Sequence, residues 1–287
     1  MKYPKKRNIH RPLHINQQER PYFVTGRTYL GLPYFKTSEA KEALLQAIEL
    51  AVKNYGLTID AWVVLNNHYH LLFRPPGSAV PEGVPCNTQA CHYNEGGGVT
   101  PLGVTRPFSI GKVMGTIHGK SSSLLKKITD KSVIPKGGRS DSFSASKRSD
   151  NFSCYHDWWE AKYWEEIKRK NINLYSRRSV LAEKKRSEEF RRLLKEGTPQ
   201  ELADFVCRLE RVWYQYIDRV VRDEQDYFMH FNYIHQNPVK HGYVEKLTNH
   251  QFSSIHKWME GAGKEWLAGC LRDYPVVDFE PDMGDLE

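Results

Sequence analysis

Apolar residues recur with two periods along the chain. Over residues 21–35 and again over 57–74 they alternate or run together as strands do, and the second span folds into a hairpin through Asn66-Asn67. Between them Ser38 begins a stretch to about Tyr55 in which Ala43, Leu44, Ala47, Ile48 and Ala51 stand at helical spacing. Phe108 to Ile128 resumes as a helix carrying Lys112, Lys120, Lys126 and Lys127. A further helix is expected from near Pro199, turning Leu202, Phe205, Val206, Leu209 and Val212 to a core and continuing through Tyr214 and Tyr216. The last is short and well punctuated. Asp223 with Asp226 three residues on resembles a capping box, while Pro238 and Gly242 are expected to stop the helix. Tyr227, Phe231 and Ile234 form its apolar stripe; Asp226, His230, Tyr233 and Asn237 form a polar band, with Tyr233 and Asn237 one turn apart.

The rest of the pattern is looser. Pro75 to Pro107 is rich in Pro and Gly and echoes itself in Gly98-Val99-Thr100-Pro101 and Gly103-Val104-Thr105-Arg106. Ser140 to Phe152 is a polar linker, and from Trp158, Trp159 and Trp164 to about Lys195 runs a highly charged helical stretch. The expected organisation is a basic arm at 1–20, one α/β core over 21–260 with insertions at about 75–107 and 128–200, and a C-terminal tail at 261–287.

Charge adds a class of partner. The 287 residues carry a net charge of +8, which favours polyanions, and Lys2, Lys5, Lys6, Arg7 and Arg11 make the N-terminal arm the densest basic segment. No apolar run reaches the roughly 20 residues of a membrane span, and no signal peptide is recognisable, so a cytoplasmic, nucleoid-associated protein is expected. Cys86, Cys91, Cys154, Cys207 and Cys270 are odd in number and scattered, which suits free thiols better than a disulfide framework; a zinc site from Cys86, Cys91, His92, Cys154 and His156 has loose spacing. Gly115-x3-Gly119-Lys120-Ser121 is one residue short of a phosphate loop and follows no buried strand, so no nucleotide cofactor is expected.

The densest chemistry lies in Asn66-Asn67-His68-Tyr69-His70-Leu71-Leu72-Phe73-Arg74. On a strand, His68 and His70 share a face, with Tyr69, Leu71 and Phe73 on the other, and two imidazoles about 6–7 Å apart at Cβ can close around one ion. A polar pair on a solvated strand face is the plain alternative.

The strand phrase Asn-His-Tyr-His-Leu-Leu and the helix phrase Tyr233-Ile-His-Gln-Asn237-Pro-Val-Lys-His-Gly-Tyr-Val together resemble the HUH single-tyrosine transposases of the IS200-like class, most closely the REP-associated tyrosine transposases. Phe252-Ser253-Ser254-Ile255-His256 and Tyr22-Phe23-Val24-Thr25-Gly26-Arg27-Thr28 are similar to two further phrases of that family. The resemblance covers roughly residues 20–76, 107–127 and 203–260; the charged stretch between is a departure from it. It implies an α/β (α+β) fold, a ferredoxin-like antiparallel sheet with helices on one face, the metal-bearing strand central and the tyrosine helix across the site. It also implies a metal-dependent endonuclease acting on single-stranded or hairpin DNA, with Tyr233 as nucleophile and a 5′-phosphotyrosine intermediate. A tyrosine hydroxyl ionises near 10 and a phosphodiester repels anions, so a divalent cation is needed. His68 and His70, with the Asn237 side-chain oxygen, would hold Mg²⁺ or Mn²⁺. Arg74, Lys112, Lys120, Arg222, Lys240 and His241 are candidate phosphate contacts, each equally readable as a surface charge. Tyr233 is free to serve its own subunit or the partner of a homodimer.

Three other readings use part of this set. A metal hydrolase would use the histidines but need a third His or carboxylate rather than Tyr233. A replication-initiator or relaxase-type nickase would use the same residues, and a non-catalytic DNA-binding protein would use the charge alone.

Overall fold

The spans of alternating residues become strands β1 (Tyr22–Thr28), β2 (Thr58–Val64) and β3 (His68–Arg74), joined by a fourth, β4 (Trp213–Val220). The structure, a computed structural model, describes residues 16–85, 106–131, 181–198 and 211–276, with 201, 202, 205 and 209. The basic arm, most of the 75–107 insertion, the polar linker, the three tryptophans and the cysteine–histidine grouping around Cys86 lie outside the described residues.

The four strands form one antiparallel sheet in the order β2-β3-β1-β4. With α1 (Ser38–Tyr55) between β1 and β2, and α2 (Ile110–Lys131) between β3 and β4, the chain runs β-α-β-β-α-β, the expected ferredoxin-like path. Thr37 accepts the Ala40 N–H to start α1, and Gly56 at φ 64 ends it. The alternating faces of β1 and β3 divide the molecule. Tyr22, Val24, Tyr69, Leu71 and Phe73 face α1 and α2: Tyr22 meets Phe108 just before α2, and Tyr69 meets His118 within it. Phe23, Thr25, His68, His70 and Leu72 point the other way. The phosphate-loop-like phrase lies wholly inside α2.

Charged α3 (Leu181–Glu196) belongs to a second compact unit that includes residues 132–210. Within it Phe190 stacks on Phe205 with ring centroids 5.7 Å apart, and Leu193, Leu194 and Leu202 are buried. Thr198 and Glu201 exchange hydrogen bonds as a capping box.

Tyr214 and Tyr216 are on β4, not on a helix. The helical stripe gives way at Val212 to Trp213, Tyr214, Tyr216, Ile217 and Val220, residue types that suit a strand, and the free edge of β1 supplies the partner. The tyrosine helix, α4 (Glu224–Lys240), also runs further than expected, passing through Pro238. Proline there forfeits only the bond to Ile234; the chain turns out after Lys240, where Gly242 at φ 69 donates to Val239 and Tyr243 donates to Pro238. The start of α4 is as the sequence indicates, since Asp223 accepts the Asp226 N–H at 2.8 Å. The return bond from Asp226 reaches Arg222 N–H rather than that of Asp223.

The segment assigned to the tail carries structure as well. After α5 (Ile255–Gly261), α6 (Lys264–Asp273) buries Leu267 and Cys270 against α4. Asn232 donates to the Cys270 and Tyr274 carbonyls, fixing this end to the tyrosine helix. No helix among the described residues is long and apolar enough to cross a membrane.

Candidate metal and nucleophile site

α4 crosses the β2 and β3 side of the sheet, on the face that carries His68 and His70. Its apolar stripe does the seating: Tyr227, Phe231 and Ile234 join Phe23, Ala61, Val63 and Leu72 in one core cluster. The polar band then lies along β3. His70 and Tyr233 meet edge to face at 5.2 Å, His68 and His70 at 5.1 Å, and Phe23 stacks on His70 from below. The Asn237 Oδ1 stands 3.3 Å from His68 Nε2. Residues from positions 68, 70, 233 and 237 therefore meet in one cluster.

Both imidazoles are neutral at pH 7. Burial comes first for each: it drives His68 well below the usual histidine range, with His70, His241 and Arg27 adding repulsion, and takes His70 down to about 3, with His241 and His230 adding to it. Thr25 Oγ1 meets His70 Nδ1 at 2.8 Å, and His70 Nε2 is buried without a hydrogen-bond partner. Such a nitrogen, beside the His68 Nε2 and an amide oxygen, is the donor set of a small divalent cation. Among the described residues no three His, Cys, Asp or Glu side chains gather as a metal set. A centre here would thus rest on two imidazoles and the Asn237 amide, with open positions for phosphate oxygens.

The candidate phosphate contacts separate into four groups. Lys240 Nζ lies 5.7 Å from the centre of the Tyr233 ring, and the His241 ring 5.0 Å from that of His68, so both border the site. Arg222 is exposed at the start of α4, where its guanidinium is bound to Asp226. Arg74 shares the histidine face and is engaged there by a carboxylate. Its guanidinium makes a bidentate pair with Asp60, at 2.9 to 3.1 Å, and both side chains are buried. Asp60 is the extra residue where the β2–β3 register shifts, and the arginine held there neutralises its carboxylate. Lys112 and Lys120 are exposed on α2, across the sheet from the histidines, and do not converge on the site.

Several contributors escape a sequence reading. Ser254 accepts the Trp62 N–H at 2.9 Å and pairs with His235 Nε2 at 2.8 Å, so the Ser-Ser phrase closes the outer edge of β2 and ties α4 to it. Behind the histidines, Tyr69 lies over Gly26, and its hydroxyl meets His118 Nε2 at 3.0 Å, with Trp213 stacked on His118 at 4.3 Å. The only signal for that packing is the glycine in β1, opposite Tyr69 in register.

On a central strand, buried His70 and half-buried His68 face a tyrosine and an amide from one helix, the four residues that the sequence motifs single out. The comparisons with known proteins agree in name. The chain is similar to the REP-associated tyrosine transposase of Escherichia coli (strain K12), at 36% identity over 52 residues, which are 18% of this chain and 32% of that one. It is also similar to the putative REP-associated tyrosine transposase of Haemophilus influenzae, at 45% over 40 residues, 14% of this chain and 23% of that protein. The matched part thus spans a third or less of each curated relative. A solved structure of a REP-associated tyrosine transposase bound to a REP hairpin aligns over 87% of this chain and 84% of its own, at 17% identity and a TM-score of 0.36, too slight a likeness to argue from. No family model matches the chain.

Proposed function

We propose that the protein is a metal-dependent single-stranded DNA transposase or endonuclease that cuts and rejoins hairpin-associated DNA through Tyr233. The observation that carries this reading is the convergence of His68, His70, Tyr233 and Asn237 in one cluster, from segments far apart in sequence. A hydrolase of the two-histidine kind would have no use for the tyrosine against His70.

A divalent cation held by His68, His70 and Asn237 would neutralise the scissile phosphate and polarise its bonds. The chain's own residues supply the rest. Tyr233 gives up its hydroxyl proton and attacks phosphorus; the bond to the 3′ oxygen breaks, the leaving oxygen takes a proton, and the 5′ phosphate stays on the tyrosine. Attack by another 3′ hydroxyl reverses the exchange. One phosphoester replaces another, so joining needs no nucleotide. Lys240 and His241 border the site and would hold flanking phosphates, a role that the net positive charge supports. Phe23, stacked under His70 and edge-on to Tyr233, keeps the ring from retreating into the core.

The test is a labelled single-stranded hairpin incubated with protein and Mg²⁺ or Mn²⁺, followed by denaturing electrophoresis and peptide mapping. A DNA adduct on Tyr233, lost in Tyr233→Phe while hairpin binding persists, is the expected result. An adduct on another tyrosine, or cleavage undiminished in the variant, overturns the assignment.

A further inference from the structure

Asn67 sits at the tip of the β2–β3 hairpin, immediately before the first histidine, and its side chain is fixed at both ends. Its Nδ2 donates to the Gly31 carbonyl at 3.1 Å. That bond settles which end of the amide is which, because a carbonyl cannot accept from another carbonyl oxygen. Oδ1 therefore faces the other way, toward His68 Nδ1, at 2.7 Å. An amide oxygen only accepts, so His68 must carry its proton on Nδ1, and its Nε2 must present a lone pair. That lone pair points at Asn237 Oδ1, which also accepts. Two acceptors at 3.3 Å gain nothing from each other, whereas a cation between them satisfies both. Turning the Asn237 amide over would let it donate to His68 instead, but no such freedom exists at Asn67.

The hairpin tip holding Asn67 is itself pinned. Thr28 N–H donates to the Asn67 carbonyl and Phe35 N–H to that of Asn66, both at 2.9 Å. Lys41 Nζ reaches Asn66 Oδ1 at 3.0 Å and the Lys36 carbonyl at 3.1 Å, buried beneath the turn. The Gly31 carbonyl is presented by the turn after β1, where Leu30 is the one described non-glycine residue at positive φ, 56°. A buried leucine in that region is strained, and such strain persists where the surroundings over-determine it. The turn that bears the strain is the one that orients the amide.

We infer that Asn67 is a positioning residue that locks His68 in the Nδ1–H tautomer and aims its Nε2 lone pair at the Asn237 side of the site. This rests on the reading that His68 and His70 hold a divalent cation, but the tautomer itself can be read without one. The plain alternative is that Asn67 merely caps the hairpin and leaves the imidazole indifferent.

The experiment is long-range ¹⁵N–¹H correlation of the histidine rings in the metal-free full chain at neutral pH, paired with Mn²⁺ binding by electron paramagnetic resonance. The wild-type protein is expected to show His68 as the Nδ1–H tautomer. Asn67→Ala should move His68 toward Nε2–H and weaken Mn²⁺ binding by about 10–100-fold, the usual cost of losing an outer partner of a metal ligand. Asn67→Asp, which keeps an acceptor at that position, should hold the tautomer and restore Mn²⁺ binding. A merely structural role would lower thermal stability in both variants alike and leave the tautomer unmoved. An Nε2–H tautomer in the wild type, which needs no variant to observe, overturns the inference, as does Asn67→Ala with the tautomer and Mn²⁺ affinity unchanged. Absence of Mn²⁺ binding in a wild-type protein with the expected tautomer would instead sink the metal reading and leave the Asn67 lock standing.

Discussion

At the scale of the residue, burial decides what each charged or titratable group does. His68 and His70 are neutral because they are enclosed, and neutral imidazoles are what a cation needs. His68→Ala or His70→Ala should eliminate cleavage while hairpin affinity falls only a few-fold, since binding draws on many phosphate contacts and catalysis on one ion. Gel-shift and cleavage assays run in parallel check it; full cleavage by either variant removes the metal assignment. Arg74 behaves in the opposite sense. Spaced with the histidines, it reads as a phosphate contact, yet it is engaged by buried Asp60. Arg74→Ala removes the bidentate partner of that buried carboxylate and should cost about 3–5 kcal/mol of folding stability, measured by urea unfolding. A variant of native stability with weakened DNA binding would restore the original reading.

At the scale of the element, the sheet holds its register by shape. Gly26 and Tyr69 are cross-strand partners, and a Cβ on residue 26 would strike the Tyr69 ring. Tyr69 lies between the two histidines, so displacing it displaces them. Gly26→Ala should cost roughly 1–3 kcal/mol and also weaken Mn²⁺ binding, although residue 26 points away from the site. Unchanged unfolding and metal titrations would show that the ring simply moves aside. Helices α1, α2 and α4 and the β2–β3 hairpin were legible because each carries its own period and stop signals. β4 was not: its strand state depends on the free edge of β1, which no local pattern records. For the same reason Pro238 misled, being a stop signal in isolation and an affordable lost bond in the last turn of a packed helix.

At the scale of the whole molecule, burying so many imidazoles couples stability to pH. His118 and His235 are each lowered by burial to about 3. An unfolded histidine titrates near 6.5, so between about 3 and 6.5 the unfolded chain binds the more protons. Their contribution is fully present above 6.5 and is lost as pH falls toward 3. Urea unfolding at pH 7.5 and 5.0 should show a clear loss at the lower pH, on the order of 1 kcal/mol per histidine or more. A flat profile would mean that these imidazoles reach solvent in the native state.

The sequence by itself determined the chemistry on offer: two histidines on one strand face, a tyrosine and an asparagine one turn apart, and a basic chain. It determined the main elements too, because hydrophobic period and capping act over a few residues. Tertiary structure decided which of those groups meet. Only packing of the Tyr227, Phe231 and Ile234 stripe onto the sheet brings Tyr233 to His70 and Asn237 to His68, assigns Arg74 to Asp60, and puts Lys112 and Lys120 on the far side. A strand pattern fixes which face a side chain takes, but the partner across that face comes from distant sequence, and the free energy that selects it is the burial of a shared core.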